Sequence, residues 1–133
     1  MGGYLTREAI LAATSLPTEE VAVPEWGGTV VVRAMDGVTR DEWESSTLAR
    51  QGNVMVRNTV NIRAKLVALC VIDPETGERL FAPEDVDVLG KLSGAALARV
   101  FGVAARLGGL TDEDVEELEG NSSAPTGGGS PSS

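Results

Sequence analysis

The sequence encodes an α+β domain: a small N-terminal β-hairpin, a mostly helical body of about four to five helices, and a disordered C-terminal tail. Three observations lead there. Two valine-rich runs, TEEVAV and TVVVRAM, flank Pro24-Glu25-Trp26-Gly27-Gly28 between residues 18 and 35, and β-branched runs on either side of a glycine-containing connection read as a hairpin. Between 54 and 107 apolar residues recur at helical spacing. The closing stretch GNSSAPTGGGSPSS has nothing to bury, which is the composition of a disordered segment. The expected layout is one domain over 1–120 and a tail over 121–133.

Taken in order, Thr6 stands where a helix N-cap belongs, ahead of REAILAA, and Pro17 closes that segment soon after Leu16. Gly2 and Thr6 also fit a myristoylation pattern, but the cap explains Thr6 with less. In the hairpin, Val21 and Val23 alternate toward one side, and Gly27-Gly28 supply positive φ for a tight connection. Asp36-Gly37 reads as the turn that ends the second strand. Thr39 and Glu42 form the capping-box spacing TRDE, opening a helix that runs to Gln51-Gly52. Only Trp43, Thr47 and Leu48 give that helix an apolar side, so it is expected to lie on a surface.

From Val54 to Ile72 helical spacing gathers Val56, Val60, Ala64, Val67 and Val71 on one face and Ile62, Leu66 and Leu69 on another. A helix apolar on two faces is buried on two sides. Its last residues, 66–72, suit a strand equally well, because a continuous apolar run has no distinguishing period. Asp73 to Gly77 is a turn. Pro83 with Glu84 and Asp85 opens a helix behind a weak cap at Ala82. A longer helix starts near Ser93 and ends at Gly108-Gly109. Thr111 caps a last one, DEDVEELE.

The formal net charge of −9 argues against gripping phosphate backbones, so nucleic acid is not an expected partner. No segment approaches the ~20 apolar residues of a membrane span, no signal-peptide pattern opens the chain, and a soluble intracellular protein is expected. Lone Cys70 lies in the apolar run LVALCVI and reads as a small buried residue. The sequence has no histidine, which removes Ser-His-Asp and Cys-His arrangements and histidine metal sites. There is no Walker A loop and no G-x-G-x-x-G, and Asp85 with Asp87 lacks EF-hand spacing. The expectation is a protein without catalytic residues, metal or cofactor.

The remaining candidates concern binding. Trp26, at the connection between two strands, either folds over the core or anchors a neighbour. Leu97 and Phe101 lie four apart, which either offers a pair of apolar anchors to a partner or completes the core. Arg50, Arg57, Arg63 and Lys65 occupy a window with no acid, and Glu113, Glu116 and Glu117 belong to a segment with no base. Two such stretches are either solvated faces or complementary surfaces for weak, salt-sensitive self-association. An acidic DNA mimic that occupies a basic partner protein is the alternative function that the charge alone allows.

Four stretches carry a resemblance: VAVPEWGGTVVVRAMDG at 21–37, KLVALCVIDPETGERLF at 65–81, EDVDVLGKLSGAALARVF at 84–101 and LTDEDVEELEGN at 110–121. In this order and spacing the chain resembles the tail assembly chaperones of long-tailed bacteriophages, particularly those of actinobacterial hosts. That resemblance implies a non-enzymatic protein that coats and solubilises the tape measure protein and helps recruit tail tube protein subunits. It also implies action in the host cytoplasm rather than a place in the mature virion, and a frameshifted long form sharing the domain.

Overall fold

A computed structural model describes residues 3–110 together with Glu113 and Asp114. Helix α1 (Arg7–Leu11) precedes strands β1 (Thr18–Val23) and β2 (Gly28–Arg33), joined by a 3₁₀ turn over Pro24–Trp26. Helix α2 (Gly37–Ser46) leads into a second hairpin, β3 (Leu48–Gln51) and β4 (Val54–Arg57). Helix α3 (Ile62–Cys70) runs directly into strand β5 (Val71–Ile72), and a 3₁₀ turn over Pro83–Asp85 opens α4 (Val86–Leu89). The longest element is α5 (Gly94–Leu107). The fold is the expected α+β arrangement with five α-helices among the described residues.

The first hairpin is where the sequence put it, paired antiparallel from Thr18 opposite Arg33 to Val23 opposite Gly28. Gly27 takes φ 81° at the close of its 3₁₀ turn, a conformation that glycine adopts without strain. β5 extends the hairpin into a three-stranded sheet in the order β1-β2-β5. Helix α5 packs against β1 and β2 and also against α3. Val21, Val23 and Val32 from the sheet meet Leu66 and Val67 from α3, and Val100, Phe101 and Ala104 from α5, in one core.

The cap expected at Thr6 is present, and Ser93, near which the long helix was expected to start, caps α5 in the same way: their hydroxyls accept from the amides of Ala9 at 3.1 Å and Ala96 at 3.2 Å. Helix α5 ends in a Schellman motif. Gly109 at φ 79° donates to the Arg106 carbonyl, and Leu110 donates to that of Ala105 at 2.9 Å while burying its side chain.

Several expectations need correction. The α2 cap is Asp36, whose carboxylate accepts from the Thr39 amide at 2.8 Å; that bond also lowers the Asp36 pKa. Glu42 therefore completes no capping box and instead pairs with Arg79 at 3.0 Å. The helix stops at Ser46 rather than continuing to Gln51: Thr47 is its C-cap, with its hydroxyl on the Glu44 carbonyl at 2.6 Å, and the strand begins at Leu48. Residues 54–57 are strand, so Val56 and Val60 share no helix face with Val67. Asn61 resets the chain at φ 59° just before α3. The 66–72 run is both of its alternatives in turn, helix to Cys70 and strand at Val71–Ile72. The helix at 83 amounts to a 3₁₀ turn and the four residues of α4, with the Asp85 carboxylate accepting from the Ala82 amide at 2.8 Å. Of the last expected helix only Glu113 and Asp114 are described, both helical. The rest of it and the tail at 121–133 lie outside the described residues.

Candidate interaction surfaces

Trp43 is the largest fully buried side chain. Its ring stands 6.2 Å from that of Phe101, tilted by 57°, and its Nε1 donates to the Ile62 carbonyl at 3.2 Å. One side chain thus ties α2 to α5 and to the start of α3. Phe101 also carries the Arg63 guanidinium 5.6 Å from its ring centroid, a cation–π contact at the edge of the core. Leu97 is buried in the same cluster. Leu97 and Phe101 are therefore inward-facing, which corrects their reading as exposed anchors for a partner. The apolar side of α5 is consumed by α3 and the sheet.

Trp26 is half-buried and packs against the core from the hairpin tip. Its Nε1 is buried without a hydrogen-bond partner. The neighbouring Glu25 accepts from Arg99 of α5 at 2.7 and 3.0 Å. This two-pronged pair holds the Glu25 carboxyl down at about 2. Glu19 of β1 binds Arg106 farther along the same helix at 2.8 Å.

The structure does not gather the four bases of the acid-free window into one patch. Arg50 and Arg57 are exposed on the β3–β4 hairpin, Arg63 lies over Phe101, and Lys65 donates to the Ser46 carbonyl at 2.7 Å. Burial is the main cause that lowers the Lys65 pKa. Glu113 is exposed; Glu116 and Glu117 lie outside the described residues. The cleft between α2 and the second hairpin, about 660 Å³, is lined by Arg40, Asp41, Glu44, Leu48, Arg57 and Asp114 among others. It is charged and open to solvent. Cys70 is buried, and desolvation pushes its thiol up to about 12, far from nucleophilic use at neutral pH. Among the described residues no group of three histidine, cysteine or carboxylate side chains is placed to hold a metal ion, and no helix is long and apolar enough to cross a membrane.

Two exposed apolar features went unread in the sequence. The first is an N-terminal arm: every residue from Gly3 to Ser15 is exposed, with Tyr4 at 97%, Leu5 at 75%, Ile10 at 55% and Leu11 at 61%. Helix α1 buries none of its residues. Leu5 and Ile10 stand at the hydrophobic-staple positions around Thr6, a signal that was legible. The second is the outward face of the β3–β4 hairpin. Its strands are four residues each, too short for a period of two to stand out from helical spacing.

The family model described as phage tail assembly chaperone matches residues 5–121 of this chain. No curated protein sequence matches it. Among solved structures, that of the bacteriophage HK97 tail assembly chaperone superposes with a TM-score of 0.54 at 18% identity. The match covers 79% of this chain and 95% of that one. At such identity the likeness is one of fold.

Proposed function

The chain belongs to the phage tail assembly chaperone family, and from that membership we propose that it binds and solubilises the tape measure protein and helps recruit tail tube subunits. It does so as a binding protein, without catalytic chemistry, in the host cytoplasm before the tail is complete. A frameshifted long form sharing this domain is a further expected partner.

The N-terminal arm is the observation that carries this reading. A capped helix of five residues is too short to hold itself in water, yet this one presents Leu5, Ile10 and Leu11 to solvent rather than to its own domain. Such an element is built to be completed by another apolar surface. A long helical client offers that surface as an apolar stripe along its length. The acids do not favour a DNA mimic: Glu19, Glu25, Glu42 and Glu44 are each engaged by an arginine of the same chain rather than ranged as a free duplex-like stripe.

Co-expression with a tape measure protein tests the proposal. The wild-type chain is expected to keep the client soluble and to co-purify with it and with tail tube protein. Ile10→Asp with Leu11→Asp is expected to lose both effects while circular dichroism stays unchanged. A client equally insoluble with and without the chain would overturn the reading, and finding the chain in purified virions would overturn its transient role.

A further inference from the structure

We infer that the free edge of β1 takes up an extended, basic segment of a partner protein as a further strand of the sheet. The strands lie in the order β1-β2-β5, which leaves β1 (Thr18–Val23) at the border. The register tells which of its backbone groups face outward. The Ala34 amide donates to the Pro17 carbonyl at 2.9 Å, and Thr18 lies opposite Arg33. Bonded and non-bonded pairs alternate along an antiparallel ladder. Glu19, Val21 and Val23 therefore spend their amides and carbonyls on β2, while those of Thr18, Glu20 and Ala22 point away from it.

That edge is open. Thr18, Glu20 and Ala22 are all exposed, and among the described residues no hydrogen bond from a turn, loop or helix reaches their backbone groups. Helix α5 packs on one face of the sheet and holds Glu19 through Arg106, without covering the border. An edge with three amides and three carbonyls in line is a template for another strand, and proteins use such edges to bind extended segments through main-chain bonds.

The side chains choose the occupant. Glu20 stands at the centre of the edge, exposed and with no ion pair among the described residues, whereas Glu19 beside it is taken by Arg106. A strand added here sets one residue directly opposite Glu20 on the same face, and opposite charges in that position attract. Lysine or arginine is the matching residue, and the net charge of −9 draws a basic segment in. A second copy fits poorly, because two β1 edges centred on one another set Glu20 against Glu20. The chain's own GNSSAPTGGGSPSS is poor in strand formers and broken by prolines. A helical client already satisfies its own backbone. The occupant is therefore a different segment from the one that meets the N-terminal arm.

A short acetylated peptide of alternating lysine and valine, titrated at low salt into the isotope-labelled full chain, tests this by NMR. Binding is expected to shift the amides of Thr18, Glu20 and Ala22 most and to slow their exchange with solvent. The same peptide with glutamate for lysine is expected not to bind. A version N-methylated at its lysine amides keeps the charge, loses the ladder and is expected not to bind either. Ala22→Pro removes an outward amide that β2 does not use, a place where an edge strand tolerates proline. It is expected to lose the peptide while circular dichroism stays unchanged. Glu20→Lys, which leaves the backbone alone, is expected to lose the lysine peptide and to accept the glutamate one. Equal binding of the N-methylated peptide would assign the attraction to charge alone and overturn the proposal. Shifts centred away from β1, or binding indifferent to Glu20→Lys, would overturn it as well. Ile10→Asp with Leu11→Asp is expected to leave peptide binding intact, so that failure of this proposal and failure of the client reading stay distinguishable.

Discussion

The two tryptophans illustrate how burial and hydrogen bonding divide the cost of a side chain. Trp43 is fully buried and its Nε1 is satisfied by Ile62, so Trp43→Ala is expected to cost about 3–5 kcal/mol. Trp26 is half-buried with an unsatisfied Nε1. Trp26→Phe removes that orphan donor and is expected to change stability by no more than about 1 kcal/mol in either direction; urea denaturation of both variants checks the contrast. Cys70 is expected to resist a disulfide-exchange reagent at pH 8 until the chain is unfolded. Rapid labelling of the native protein would contradict its burial. Glu25 gives a pH dependence with a definite sign. Its folded value of about 2 lies below the ordinary 4.5, so the Arg99 pair stabilises the fold above 4.5 and is lost as pH falls toward 2. The melting-temperature difference between wild type and Glu25→Gln is expected to shrink over that window.

Among the elements, the second hairpin is the least supported. Two-stranded sheets are marginal on their own, and β3–β4 offers the body only its Ala49 and Val56 side. Its amides are expected to exchange with solvent well before those of α3 and α5, as residue-resolved hydrogen exchange would show. The same weakness explains why it was illegible. LARQ and VMVR are too short for a period of two to stand out, and Gly52-Asn53 reverses the order of the usual Asn-Gly signal; Gly52 at φ 63° makes the turn nevertheless. Elements that end on local chemistry were legible: Thr6, Ser93 and Gly109 cap their helices as their residue types require. Where two local signals competed, a third side chain decided. Asp36 took the Thr39 amide and left Glu42 to Arg79. That arginine lies 37 positions away, beyond what local spacing reveals.

In the molecule as a whole, sheet, α3 and α5 share one core. Leu97→Ser with Phe101→Ser is therefore expected to abolish the folded circular dichroism signal and not merely client binding. The α+β class was readable from valine alternation and helical periodicity. The binding surfaces were not, because periodicity marks which side chains are apolar and not which of them find a partner inside. Leu97 and Phe101 do; Ile10 and Leu11, equally apolar, do not.

The two ion pairs that fasten α5 to the first hairpin also constrain when the domain can exist during synthesis. Arg99 reaches back 74 positions to Glu25, and Arg106 reaches back 87 to Glu19. As the chain leaves the ribosome at roughly 5–20 residues per second, the sheet emerges first with Val21, Val23 and Val32 uncovered and waits for α5 to close over it. The N-terminal arm, which buries none of its residues against the domain, is exposed throughout that wait. A nascent chain could therefore meet a client through its arm before its own domain has finished folding.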